Sequence, residues 1–152
     1  MLGRVTMTFL DGKLDPVAAA EGGRVWRGAH FLALLALCAA YIQGPLTKIF
    51  DFQSALVEMT HFGLLPAPFF AVAVIVFELA MSALILAGRF RAPAAVALSL
   101  FTLAATLVAL RFWELPPGME RNMATNAFFE HLGLAGAFVL VALHELRRGA
   151  LH

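Results

Sequence analysis

Apolar residues along this chain fall into four long blocks, at about 29–49, 67–87, 93–112 and 126–146, with the polar residues gathered between them. Each block is close to the ~20 residues that a helix, rising ~1.5 Å per residue, needs to cross ~30 Å of hydrocarbon. A surface helix of a soluble domain would instead carry a polar stripe along its whole length. The pattern therefore predicts an all-α integral membrane protein, a bundle of four transmembrane helices forming one domain over 26–152. Residues 1–25 mix charges with Gly and Pro without a sustained period, and are read as a mobile leader or a short surface helix. A cleaved signal peptide is not expected, because the first apolar block follows a polar stretch of about 28 residues, longer than a usual n-region.

The connections carry their own signals. Helix one ends in GPLTKIFDF, where Gly44-Pro45 can kink the last turn and Lys48 with Asp51 marks the outer interface. DFQSALVEMTHFGLL (51–65) places Phe52, Leu56, Met59 and Phe62 at helical spacing, which predicts a short amphipathic helix on the outer surface. Pro66 and Pro68 suit the first turn of helix two. GRFRA (88–92) is too short for anything but an antiparallel hairpin of helices two and three. The stretch RFWELPPGMERNMATN (111–126) is longer, aromatic and charged, with Pro116-Pro117-Gly118 forcing a turn, and is expected to cap the outer end.

Composition agrees with the pattern: 152 residues are 61% hydrophobic and 14% charged, far from soluble usage. The lipid bilayer is thus the first expected partner. Arg4, Lys13, Arg24, Arg27, Arg89, Arg91, Arg147 and Arg148 lie on the side of the termini, against Lys48, Arg111 and Arg121 on the other. The positive-inside rule then puts both termini in the cytoplasm. A net charge of +1 with the signs interspersed gives no basic stripe, so no nucleic-acid partner is expected. One cysteine, Cys38, excludes an internal disulfide and a C-x-x-C couple, so any redox role borrows a cofactor or a partner.

The segments YIQGPLTKIFDF (41–52), GLLPAP (63–68), Glu78 in FEL, GRFRA (88–92), RFW (111–113) and FFEHLGLAGA (128–137), in this order, resemble the DoxX-like family of small four-helix bacterial membrane proteins. The resemblance covers about residues 30–145 and implies a four-helix bundle in the bacterial inner membrane. Some relatives are subunits of thiosulfate:quinone oxidoreductase and others associate with redox or thiol-stress systems, so a quinone is the cofactor implied and a redox protein the partner implied. The matching positions are Gly44, Lys48, Asp51, Glu78, Arg89, Phe112, Trp113 and Gly136. Members often carry histidine where this chain has Leu110, and lysine-asparagine where it has Glu130-His131.

Glu78 is the sharpest single residue. An ionised acid at the centre of a span costs about 2.5–3.5 kcal/mol on insertion scales, so Glu78 should be neutral, paired or beside a wet cavity. It shares a stripe with the small residues Ala71 and Ser82, which predicts that it faces inward. Its depth, roughly 18 Å from the outer end, makes Thr102 and Ser99 on helix three its expected partners. Either Glu78 fixes helix packing through a hydrogen bond, or it is the catalytic acid that delivers a proton to a quinone oxygen.

Lys48, Asp51, Arg111 and Glu130 fall at similar depth near the outer end. Glu130 shares a stripe with Gly133, Ala137 and His144 and is expected to face the bundle, neutralised by Lys48 or Arg111. The plain reading is an interfacial ion-pair network; the functional one is a quinone-headgroup or partner site under Phe112 and Trp113, with Thr102 beneath. Trp113 fits an aromatic belt equally well. No metal site is expected. Glu58-x-x-His61 has one half of a di-iron carboxylate pattern, but the second motif and the further glutamates are missing, and His30 with His144 form no fuller ligand set.

Three functions remain open: a subunit or accessory of a quinone-linked or thiol- and sulfur-related redox system, with Glu78 as acid and Lys48, Asp51, Thr102, Arg111, Trp113 and Glu130 around the cofactor; a non-catalytic anchor whose outer segments dock a partner; and a small-molecule or proton pathway past Gln43, Glu78, Thr102 and Thr106. Four helices leave little room for the last unless copies assemble into a homo-oligomer.

Overall fold

The computed structural model of the chain describes residues 16–149, with side-chain surroundings over 23–148. These residues form five α-helices and one 3₁₀ turn: α1 (Pro16–Phe50), α2 (Phe52–His61), α3 (Ala67–Ala87), α4 (Arg91–Ala109), the 3₁₀ turn Phe112–Glu114, and α5 (Met119–Gly149). Four of them contain spans long and apolar enough to cross a membrane: Gly23–Phe50, Ala67–Ala87, Arg91–Glu114 and Met119–Arg148. Val76, Leu100, Leu107 and Leu140 are each more than half exposed. A soluble domain would bury such a belt, whereas lipid covers it without penalty. The protein is a multi-pass membrane protein.

By its contacts the chain divides into Met1–Leu32 and Ala33–His152. The described part of the first unit is the helical stretch 16–32. The second unit holds the packed core. Leu34, Cys38 and Tyr41 of α1 meet Ile85 of α3, Ala94, Ala95 and Leu98 of α4, and Phe138 and Ala142 of α5. Small residues let the backbones of α4 and α5 come close, and there the Ser99 hydroxyl donates to the Ala135 carbonyl at 2.9 Å. Phe138, fully buried, meets the Tyr41 ring edge-on at 5.3 Å between centroids. A smaller cluster, Ala55 and Met59 with Ala67 and Ala71, packs the short α2 onto α3.

The short helix expected within 51–65 is α2, started by Asp51, whose carboxylate accepts from the Ser54 backbone N–H at 3.1 Å and the Ser54 hydroxyl at 2.6 Å. Pro66 precedes α3 as its N-cap. The α3–α4 hairpin closes through Gly88, whose φ of 74° is the left-handed conformation of a helix C-cap. A side chain at Gly88 would also come within 3.1 Å of the Arg91 guanidinium. That guanidinium fastens the turn: Nε donates to the Ile85 carbonyl at 2.8 Å and a terminal nitrogen pairs with Glu145 of α5 at 2.8 Å. One arginine thereby adds a second donor to the Ile85 carbonyl, which also accepts from the Gly88 N–H at 3.3 Å, and ties α4 to α5.

Two boundaries differ from the hydropathy pattern. α1 is already helical from Pro16, and α5 begins at Met119 rather than near 126. Met119, Glu120, Arg121 and Ala124 are good helix formers that a reading of apolar blocks passes over, and the break falls at Pro116-Pro117-Gly118 immediately before them. The loop expected over 111–126 is correspondingly short. Residues 1–15 of the polar leader lie outside the described residues.

Candidate functional site

Three ionisable side chains from three helices meet in one cavity. Lys48 sits in the last turn of α1, Glu58 lies in α2, and Glu78 lies midway along α3. Lys48 Nζ pairs with a Glu58 carboxylate oxygen at 2.8 Å. Glu78 is half-buried, with both charges of that pair in electrostatic range. The cavity, of about 320 Å³, is walled by Val74 of α3 and by Phe101, Ala104 and Ala105 of α4, with Phe62 and Leu64 from the end of α2 and the following turn. Gly44 of α1 lies beside the carboxyl, since a side-chain carbon there would sit in ordinary van der Waals contact with Glu78 Oε2, at 3.9 Å. The result is an apolar chamber with a carboxyl group in one wall and an ion pair beside it.

Behind this wall stands a second polar layer. Tyr41 of α1 hydrogen-bonds the Thr102 hydroxyl of α4, and Tyr41 also lies within electrostatic range of Glu78. Thr102 donates to the Leu98 carbonyl at 2.7 Å and Thr106 to the Thr102 carbonyl at 2.6 Å. With Ser99 bonded to Ala135, the hydroxyls of α4 are engaged with backbone carbonyls and Tyr41. None of them is a hydrogen-bond partner of Glu78. Gln43 turns instead to the Thr47 hydroxyl at 2.8 Å. The buried stripe Ser99, Thr102 and Thr106 is therefore where helical spacing puts it, but its bonds knit the bundle rather than reach the carboxyl.

The outer cluster expected from depth alone resolves into separate pieces. Lys48 pairs with Glu58, not with Glu130. Asp51 is the cap of α2: the Ser54 hydroxyl and backbone N–H hold its carboxyl below the usual aspartate range. Arg111 pairs with Glu114 at 3.2 Å, both side chains 53% exposed. Trp113 stacks edge-on with Phe112 at 5.2 Å and Phe128 at 6.0 Å between ring centroids. Glu130 is exposed on α5, contrary to the expectation that it faces the bundle. The stripe through Gly133 and Ala137 is not the buried face of α5, which runs through Ala135, Phe138 and Ala142. A larger, shallower hollow of about 830 Å³ lies beside Arg111, Glu114 and Met119, walled largely by exposed side chains and reached by none of Lys48, Glu58 and Glu78.

Glu58 is the site residue that sequence reasoning missed. Its spacing to His61 suggested half of a metal pattern, but the two diverge, Glu58 to Lys48 and His61 to an edge-on contact with the Phe62 ring. Among the described residues no group of three or more His, Cys, Asp or Glu side chains converges as metal ligands do. A sequence model of one family matches the chain over residues 29–111, a stretch that holds Lys48, Glu58, Glu78 and every helix that walls the cavity. No curated protein and no solved structure matches the chain. The matched stretch is more than half of the sequence, and the family is DoxX; the protein belongs to the DoxX family.

Proposed function

We propose that this DoxX-family membrane protein is a subunit or accessory of a membrane redox system, and that the cavity at Glu78 receives the ring of a quinone. The observation that carries the reading is the convergence of Lys48, Glu58 and Glu78 on one apolar chamber of about 320 Å³. That volume is at the lower end of small-molecule sites, of order 300–1,000 Å³, and suits a flat ring rather than a long chain. Lipid-facing helices suit a ligand that arrives through the bilayer.

Reduction of a quinone needs electrons and protons together. The electrons come from a partner, since Cys38 alone forms no dithiol couple. Glu78 stands where it can hand a proton to a carbonyl oxygen in the chamber. Glu58, the most exposed of the three groups at 41%, holds the Lys48 ammonium at the mouth of the chamber. Lys48 pairs with Glu58 and lies within electrostatic range of Glu78.

The test is mass spectrometry of gently purified protein after solvent extraction, with absorption spectra of the same sample. A stoichiometric quinone that is lost in Glu78→Ala supports the reading. A protein that arrives empty, keeps its fold in that variant and takes up no added quinone overturns it. The aromatic cap of Phe112, Trp113, Phe128 and Phe129, with Trp113 49% and Phe129 59% exposed, favours the second reading in that case, an anchor that docks a partner at this end.

A further inference from the structure

At the end of the helices remote from the Glu78 chamber, where α3 turns into α4, arginines collect around one ion pair. Arg91 and Glu145 are bonded to each other with side chains only 15% and 22% exposed, so neither charge is available to a ligand. Arg89 and Arg148 are different. Both are exposed and neither enters a salt bridge among the described residues. Arg89 precedes Arg91 by two positions in the tight turn. Arg148 follows Glu145 by three positions on α5, which returns it to the same side of the helix, about 4.5 Å further along the axis. The buried stripe Ala135, Phe138 and Ala142 runs into Glu145 on that side. Arg148 therefore emerges where α5 meets the turn, on the flank of the ion pair opposite the core.

Arg147 provides an internal contrast. Two positions beyond Glu145, it lies roughly 200° around the helix and faces away from the turn. Phe90, between Arg89 and Arg91, is 71% exposed at the level of the span ends, where aromatic rings sit against lipid headgroups.

The geometry points to a binding site for the phosphate of an anionic phospholipid, held by Arg89 and Arg148 beside the neutralised Arg91–Glu145 pair, with Phe90 against the acyl chains. Basic pockets between helix ends at the membrane surface suit such headgroups, and a guanidinium pair meets a phosphodiester with directed hydrogen bonds. The proposal is independent of the quinone reading, since it uses no residue of the Glu78 chamber.

The experiment supplies the full-length protein with equal amounts of phosphatidylglycerol and phosphatidylcholine in mixed micelles and counts retained lipid by native mass spectrometry. The wild type is expected to keep phosphatidylglycerol in preference, and Arg89→Gln and Arg148→Gln each to lower that retention about fivefold. Arg147→Gln should change it by less than about twofold. All three positions are exposed, and circular dichroism verifies the helical content of each variant. Equal retention of the two lipids overturns the proposal. So does an Arg147→Gln loss equal to that of Arg148→Gln, which would be a diffuse basic surface, and so does displacement of the lipid by inorganic phosphate at matched concentration, which would make it a site for the free ion.

Discussion

Replacing Arg91 by methionine removes two bonds and strands a charge. The Ile85 carbonyl loses the shorter of its two donors, at 2.8 Å, and keeps the Gly88 N–H at 3.3 Å, while Glu145, its side chain only 22% exposed, loses its partner at 2.8 Å. Breaking a fully buried pair from one side costs about 3–5 kcal/mol. With residual exposure at both partners about 2 kcal/mol of that remains, and the lost hydrogen bond adds about 1 kcal/mol, so a loss near 3 kcal/mol is expected. Arg111 is the comparison. Its pair with Glu114 is 53% exposed on both sides, and Arg111→Met should cost no more than about 0.5 kcal/mol. The double variant Arg91→Met with Glu145→Met should recover most of the loss, because apolar replacement of both partners removes the stranded charge. Unfolding by titration of dodecyl sulfate into mixed micelles, followed by circular dichroism, gives the four stabilities on one scale. If Arg91→Met falls within about 0.5 kcal/mol of wild type, or if the double variant is no better than the single, the assignment of Arg91 as the staple of this end is wrong.

Other outcomes follow from the same geometry. Phe138→Ala in the fully buried core should cost about 2 kcal/mol in the same titration, the cavity part alone, because the side chain remains in apolar surroundings when helices separate within lipid or detergent. Tyr41→Phe removes one bond to Thr102, whose hydroxyl keeps the Leu98 carbonyl, so the loss should be about 0.6 kcal/mol. For Asp51 the sign is fixed by its depressed folded pKa: the cap stabilises α2 fully above the unfolded value, near 3.8, and is lost as pH falls through the lower folded one. Amide exchange within α2 should therefore quicken, relative to α3, as the pH is lowered into that window, and Asp51→Ala should abolish the pH dependence.

What could be read from the sequence was whatever depends on one helix at a time. The α3 span coincides with its apolar block because Pro66 and Gly88 punctuate both ends. The buried stripes Ala71 with Ser82, and Ser99 with Thr102 and Thr106, follow from helical spacing. What depends on two helices was not legible in the same way. Lys48 has Asp51 and Glu130 at similar depth, and depth does not reveal that α2 folds back over α3 to bring Glu58 to it. The small residues Gly133 and Ala137 point Glu130 toward the bundle, whereas α5 turns Ala135, Phe138 and Ala142 to the core. Arg91 and Glu145, 54 positions apart, left no local signal at all.

The order of the three charges along the chain also bears on how the protein enters the membrane. During synthesis Lys48 and Glu58 emerge before Glu78. When α3 leaves the insertion machinery, Lys48 is already at the end of α1, and its charge is taken up by Glu58 at 2.8 Å once α2 has folded. The helix that carries the costly acid is thus delivered beside an ion pair with no net charge, and transposing Lys48 to a later helix would leave it to insert with Glu58, a like charge, beside Glu78.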